Sequence, residues 1–316
     1  MNRVTQNGRS PAHLWRSFNT MLGKDRDVTG ATDHSASFFR ADTAAAPPPV
    51  ITNTTLSSLP SFHPASEAEV RRIIMSSPVK LCSLAPWPTF LVHEYVDLFT
   101  PCVTHLVKIS LNSSQLPDNQ KHATVSTLLK KSGLDMSDMS NFRPVSNVTF
   151  MSKVAERVVT RRMNDYLVEH HLLPRLQSAY RRQHSTETAL LHVMSDALTA
   201  AADRQVTLIW LLDMSTAFDC VDHSILLQQL ERNFGITGLT LHWMTSYITS
   251  RTQQVLYNGK LSQLQRFSYG VPQGSVLGPL LCNLYTADIS KVVEFHGHKV
   301  HQYADDCQVI PQHSCL

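Results

Sequence analysis

Apolar residues recur along this chain at two spacings: steps of three and four, which mark helices, and short continuous runs, which mark buried strands. Ser66-Glu67-Ala68-Glu69 opens the first helix as a capping box, in which the Ser66 hydroxyl accepts from the Glu69 amide and the Glu69 carboxylate reaches back. Val70, Ile73 and Ile74 then share one face. A second helical stretch runs from Phe90 to Ile109 through Leu91, Tyr95, Leu98, Val103 and Leu106, and Pro101 should start a new helix there or kink this one. Leu128-Leu129 before Lys130-Lys131 predicts a short strand or helix ending in charge. Further helices are predicted from Ser152 to Val168, with Val154, Val158 and Leu167 inward, and from Ser185 to about Ala202, with Leu190, Met194 and Leu198 inward. Val206 to Leu212 is β-branched and apolar, which suits a strand buried on both faces. A helix from Ser224 to Phe234 should end at Gly235 in the left-handed conformation. Gln254 to Tyr257 followed by Asn258-Gly259 predicts a hairpin with a type I′ turn. This mixture of helices and short strands points to an α/β or α+β body.

Composition narrows the picture. The 316 residues are 42% hydrophobic and 17% charged, enough to bury a sizeable core and against wholesale disorder. Residues 1 to about 60 differ: they are rich in Ser, Thr, Asn, Ala and Pro, include Ala44-Ala45-Ala46-Pro47-Pro48-Pro49, and are expected to form a disordered tail. A net charge of +3 permits nucleic-acid binding without arguing for it. The six cysteines (Cys82, Cys102, Cys220, Cys282, Cys307, Cys315) form no CxxC pair and read as reduced thiols. Cys307, His313 and Cys315 lack the spacing of a structural zinc site. With no signal-peptide pattern and no apolar run long enough to span a bilayer, the expected setting is soluble and intracellular, with no membrane partner.

The candidate chemistry is acidic. Leu211-Leu212-Asp213 closes the apolar run and continues as Met214-Ser215-Thr216-Ala217-Phe218-Asp219, while Tyr303-Ala304-Asp305-Asp306 places two adjacent carboxylates after an alternating approach. An N-cap would account for Asp213 alone, and a tight turn for Asp305-Asp306 alone. Two neighbouring negative charges repel, however, and a divalent cation is the natural remedy. Three carboxylates on two strand ends suit a two-metal phosphoryl-transfer site. Between them lies Gly270-Val271-Pro272-Gln273-Gly274-Ser275-Val276-Leu277-Gly278-Pro279, whose glycines let backbone approach a neighbour closely.

In this order the three elements resemble motifs A, B and C of the reverse transcriptase domain of LINE-type (non-LTR) retrotransposons. Upstream, Asn141-Phe142-Arg143-Pro144-Val145-Ser146-Asn147 and Gln177-Ser178-Ala179-Tyr180-Arg181, with Ser185-Thr186-Glu187-Thr188-Ala189-Leu190, resemble its finger segments. The resemblance implies a palm-and-fingers fold and RNA-directed DNA synthesis. Asp213, Asp305 and Asp306 would serve two Mg²⁺ ions, with Mn²⁺ as an alternative. It also implies substrate contacts. Arg181 would grip the triphosphate, Phe218 would form the steric gate against ribose, Gln273 and Gly274 would line the dNTP site, and Tyr303 would face the substrate. The implied partners are template RNA, a DNA primer and dNTPs, in a nuclear and cytoplasmic ribonucleoprotein. Phe218 could equally be a core aromatic. Lys153, Arg157, Arg161 and Arg162 could line a template path or simply form a solvated helix face. Asp219, Val221, Asp222 and His223 read as structural contacts.

The expected organisation is a tail over 1–60, a helical segment over 61–135 and the reverse transcriptase domain over 136–316. The chain stops ten residues after Asp306, so no thumb is expected, and a catalytically silent fragment that at most binds nucleic acid or protein is the competing expectation.

Overall fold

A computed structural model of the protein describes residues 57–79, 84, 87–135, 138, 141–214, 217–257 and 259–311. The disordered tail expected up to about residue 60 lies outside these residues except at its end, which is tied down. The Leu59 amide donates to the Gly235 carbonyl at 2.9 Å, and Thr237 donates back to Leu59.

Helix α1 (Glu67–Met75) starts where the capping signal placed it, with Ser66 accepting from the Glu69 amide at 3.2 Å. The Glu69 carboxylate has a further partner, pairing with both terminal nitrogens of Arg162 at 3.0 Å each. The predicted Phe90–Ile109 helix is two: α2 (Thr89–Glu94) and α3 (Val96–Asn112), broken at Tyr95 rather than at Pro101. Pro101 sits inside α3 on its exposed side. The buried face is Val92, Val96, Val103, Val107 and Leu111, whereas Tyr95, Leu98 and Leu106 are exposed. Of the predicted apolar positions Val103 is thus buried, while Tyr95, Leu98 and Leu106 are not.

Strands β1 (His122–Leu129) and β2 (Phe142–Asn147) form an antiparallel pair, followed by α4 (Phe150–Glu169) and α5 (Thr186–Ala202). Strand β3 (Trp210–Asp213) comes next, then α6 (His223–Phe234), capped by Gly235 at φ 65°, and α7 (Gly238–Ile248). Strand β4 (Thr252–Tyr257) turns into β5 (Lys260–Leu261) through Gly259, and also pairs β6 (Gln265–Arg266). Asn258, the other residue of the expected type I′ turn, lies outside the described residues. Helices α8 (Gly278–Tyr285) and α9 (Asp288–Phe295) lead to the hairpin β7 (His298–Tyr303) and β8 (Asp306–Pro311).

Two sheets result. One has the order β2-β1-β4-β5, with β1 and β4 parallel and β6 also on β4; the other has the order β3-β8-β7 and is antiparallel. A single apolar core joins α1, α3, α4, α6, α7 and α8, with Val154, Val158 and Leu167 of α4 fully buried as expected. It also runs across residue 135, where β1 and β2 pair on either side of the expected domain boundary.

Two expectations of burial do not hold. Leu190, Met194 and Leu198 of α5 are exposed, and Val193 is the residue that helix buries. The stretch expected as a strand from Val206 to Leu212 forms β3 only from Trp210 to Asp213, and Val206, Leu208, Leu211 and Leu212 are all exposed. Hydropathy marks which side chains gain from cover, but it supplies no covering element, and none lies over these faces among the described residues.

Candidate active site

The site is assembled from backbone ladders. Asp213 ends β3 and is the antiparallel partner of Asp306, so residues 93 positions apart face each other across two strands. Asp306 is in turn the register partner of Tyr303, with Ala304 and Asp305 forming the turn between them. The Met214 amide donates to the Asp305 carbonyl at 3.1 Å, which binds the end of β3 to that turn. Backbone pairing thus brings Asp213, Asp305 and Asp306 to one end of one sheet. Among the described residues, no three or more His, Cys, Asp or Glu side chains are grouped closely enough to hold a metal ion. The donors are nonetheless hard carboxylate oxygens, open to solvent at Asp213 and Asp306 and half-buried at Asp305, which is the donor chemistry Mg²⁺ takes.

Ala304 holds a left-handed φ of 56°, a conformation that costs a non-glycine residue about 1 kcal/mol or more. Gln177 supports it. The Ala304 amide donates to Gln177 Oε1 at 3.3 Å, and Gln177 Nε2 donates to the Ala304 carbonyl at 3.5 Å. The surrounding segment runs alongside β7, with Ser178 donating to the Gln302 carbonyl at 2.9 Å and Gln302 donating to that of Leu176 at 3.0 Å. The motif containing Gln177 was legible in the sequence, but its hold on the Asp305 turn was not. Gln is an ordinary residue, and only the fold brings it 127 positions along the chain.

Arg181 follows on the same segment, half-buried, its Nη1 donating to the Pro174 carbonyl at 3.3 Å. Its neighbour Tyr180 lies close to the acidic turn: burial and the charges of Asp305, Cys282 and Tyr303 push its phenol above the ordinary range. The Cys282 thiol in α8 is pushed up to about 12 by burial and by the Asp305 charge, which favours its neutral form. Asn283, also in α8, donates to the Ala179 carbonyl at 3.0 Å and ties that helix to the same segment.

The glycine-rich loop packs against the segment that follows β3 and against β2. Gly270 donates to the Val221 carbonyl and Val271 to the Phe218 carbonyl, both at 2.7 Å. A Cβ on Gly270, whose φ is 83°, would stand 2.7 Å from the Phe218 oxygen, so only glycine fits. Gln273 accepts at its carbonyl from the Ser146 amide at 2.6 Å, and Gly274 is exposed beside Val145 and Ser146 of β2. Phe218 is half-buried and packs against the main core, so part of the ring is a core aromatic. Tyr303 is half-buried at the end of β7.

Two of the basic residues on α4 make structural contacts. Arg162 clamps Glu69 and the carbonyls of His63 and Pro64, and Arg157 binds the Ile73 carbonyl and Ser77 Oγ. Arg161 and Arg143 are exposed. Asp222 caps α6 by accepting from the Ser224 and Ile225 amides, and His223 Nε2 contacts the Gly270 carbonyl at 2.8 Å. Among the described residues, no helix is long and apolar enough to cross a membrane.

Comparison with known proteins identifies relatives of the sequence. The family described as reverse transcriptase (RNA-dependent DNA polymerase) matches residues 128–315. The probable RNA-directed DNA polymerase from transposon BS of Drosophila melanogaster is 30% identical over 204 residues, covering 63% of this chain and 22% of that protein. The RNA-directed DNA polymerase from mobile element jockey of the same fly is 29% identical over 251 residues, covering 77% of this chain and 27% of that protein. The chain thus spans about a quarter of the length of the curated relatives it matches. Apo telomerase from Candida tropicalis, a solved structure, is 13% identical with a TM-score of 0.45, covering 72% of this chain and 50% of that one. The family match extends over more than half of the residues and contains the acidic strand ends, the glycine-rich loop and the Gln177–Arg181 segment, and the chain belongs to the reverse transcriptase family of the kind carried by non-LTR retrotransposons.

Proposed function

We propose that this chain carries the nucleotidyl-transfer centre of an RNA-directed DNA polymerase, joining a dNTP to a primer 3′-OH on a template RNA. The observation that carries the reading is the register Asp213–Asp306 with Asp305 in the adjoining turn, a convergence that chain separation alone would not produce. Asp213, Asp305 and Asp306 would hold two Mg²⁺ ions, or Mn²⁺ in their place, which when bound lower the pKa of the primer hydroxyl and neutralise the triphosphate.

The chain's own residues have separate tasks. Arg181 would fork onto triphosphate oxygens. A guanidinium has five donors, so its contact with Pro174 orients the side chain without exhausting it. Phe218, with its inner part in the core and its backbone bonded to Val271, would present a ring edge where a ribose 2′-OH would collide. Gln273 and Gly274 would lie along the nascent base pair, and Tyr303 would border the primer end next to Asp305. Each contact positions reactants, and positioning is the larger part of what a phosphoryl-transfer site must provide.

The test is incorporation of dTTP onto oligo(dT) annealed to poly(A), with Mg²⁺ present. The reading expects template-dependent addition by the wild-type chain and none by Asp305→Asn. No addition by the wild type, or addition unchanged in the variant, would refute it.

A further inference from the structure

Helix α4 carries a carboxylate on its buried, largely apolar face. Glu156 is fully buried, one turn from Ser152 and flanked by Ala155 and Val159 on the core side. A buried carboxylate must find donors, and here it finds three. Its Oε2 accepts from the Val276 amide at 2.7 Å and the Leu277 amide at 3.1 Å, and its Oε1 accepts from Ser152 Oγ at 3.0 Å. The two amides belong to the glycine-rich loop, 120 and 121 positions along the chain.

Those amides are the turn that connects Gln273-Gly274 to α8. The rest of the turn is also held from within: Ser275 Oγ donates to the Pro272 carbonyl at 2.8 Å and accepts from the Gly278 amide at 3.0 Å. On its far side the loop is fixed to β2 through Gln273 and Ser146, and at its start to Phe218 and Val221. Glu156 is the anchor that comes from the helical core. Burial and then the Glu156 charge push the Tyr247 phenol far above its ordinary range, which keeps it a neutral hydroxyl. Arg251, stacked 4.8 Å over that ring, donates to the Tyr247 carbonyl at 2.9 Å.

We infer that Glu156 is a positioning residue for nucleotide binding: from the core of α4 it fixes the backbone of Val276 and Leu277, and so sets where Gln273 and Gly274 stand against an incoming dNTP. The inference rests on the polymerase reading for its consequence at the nucleotide. The clamp itself is independent of that reading.

Two measurements on the full chain decide it. Hydrogen exchange followed by mass spectrometry reads the amides of residues 270–281 in wild type, Glu156→Ala, Glu156→Gln and Ser152→Ala. Glutamine keeps an oxygen for the two amides and can donate to Ser152, so it should behave as a rescue. Glu156→Ala should speed exchange in this loop by about tenfold or more, since two charge-assisted bonds are lost. Glu156→Gln should stay near wild type, and Ser152→Ala should fall between. Unchanged loop exchange in Glu156→Ala, or an increase spread evenly over the core in both Glu156 variants, would overturn the clamp. Single-dTTP addition then separates KM from kcat. Glu156→Ala should raise KM for dTTP by about tenfold with the affinity for primer-template unchanged, and Glu156→Gln should remain within about threefold of wild type. A loss in kcat and primer-template affinity at constant KM would overturn the nucleotide role. A wild-type chain that adds no dTTP refutes the polymerase reading and the nucleotide role with it, while exchange still decides the clamp.

Discussion

Replacing Gly270 by alanine isolates the contact that joins the glycine-rich loop to the segment carrying Phe218. The added Cβ would stand 2.7 Å from the Phe218 oxygen and 2.9 Å from both the Asp219 Cα and the Asp219 oxygen. All three are backbone atoms, so no side-chain rotation relieves the clash. Left-handed φ costs an alanine about 1–2 kcal/mol, and forcing extra volume into a packed site costs about 1–3 kcal/mol. Together they predict a loss of about 2–5 kcal/mol. Gly259 supplies the control: its φ is 73°, and a Cβ there meets nothing within 4 Å. Gly259→Ala should therefore show the conformational part alone, about 1–2 kcal/mol. Urea unfolding followed by far-ultraviolet circular dichroism measures both, with the midpoint read at constant slope. Equal losses in the two variants would show that the Gly270 approach is not tight, and the account of how this loop is seated would fail.

Three further outcomes follow from other parts of the structure. Arg162→Ala strands the Glu69 carboxylate, which is only 12% exposed, and removes contacts to two carbonyls, so it should cost about 3 kcal/mol or more in the same unfolding assay; a loss under about 0.5 kcal/mol, the range of surface changes, would contradict the clamp. Asp196 is raised by burial but lowered more by hydrogen bonds and charge from Lys299 and His301, and its carboxyl lies below the ordinary range; Glu69 is likewise raised by burial and lowered more by Arg162. Both add stability above the unfolded carboxylate pKa that fades as pH falls through the lower folded value, so Asp196→Asn should flatten the acid limb of the stability profile, and an unchanged limb would contradict the pairing. Phe218→Val should admit ribonucleotides where wild type excludes them, measured as the dTTP to UTP preference in primer extension; an unchanged preference would leave Phe218 as a core aromatic only.

The parts of the fold written in local signals were legible. The Ser66 cap, the Gly235 terminus and the inward face of α4 each depend on residues within a turn or two of one another. The pairing of Asp213 with the Asp305-Asp306 turn was suggested for a different reason: adjacent aspartates together with a carboxylate ending an apolar run are a combination that no one structural role explains. Burial was less readable. Val206 to Leu212 and the Leu190, Met194 and Leu198 face have the composition of core yet stand exposed, because composition reports what a face would gain by being covered and not what covers it. In α3, which packs on α1, the predicted Val103 is buried together with Val96, while the predicted Leu98 and Leu106 are left exposed. Gln177 and Glu156 were invisible as site-forming residues because their partners lie more than a hundred positions away. Glu156 did leave one trace, a charge on the buried stripe of its own helix.

If Asp213, Asp305 and Asp306 share one divalent-metal locus, metal-directed cleavage shows it without requiring turnover. Fe²⁺ replaces Mg²⁺ in the presence of ascorbate and peroxide, and the cut positions are mapped by mass spectrometry. Cuts should gather around residue 213 and residues 304–306, be competed away by excess Mg²⁺, and be lost in Asp213→Asn and Asp305→Asn. Cuts scattered over the surface, or a pattern unchanged in both variants, would contradict it.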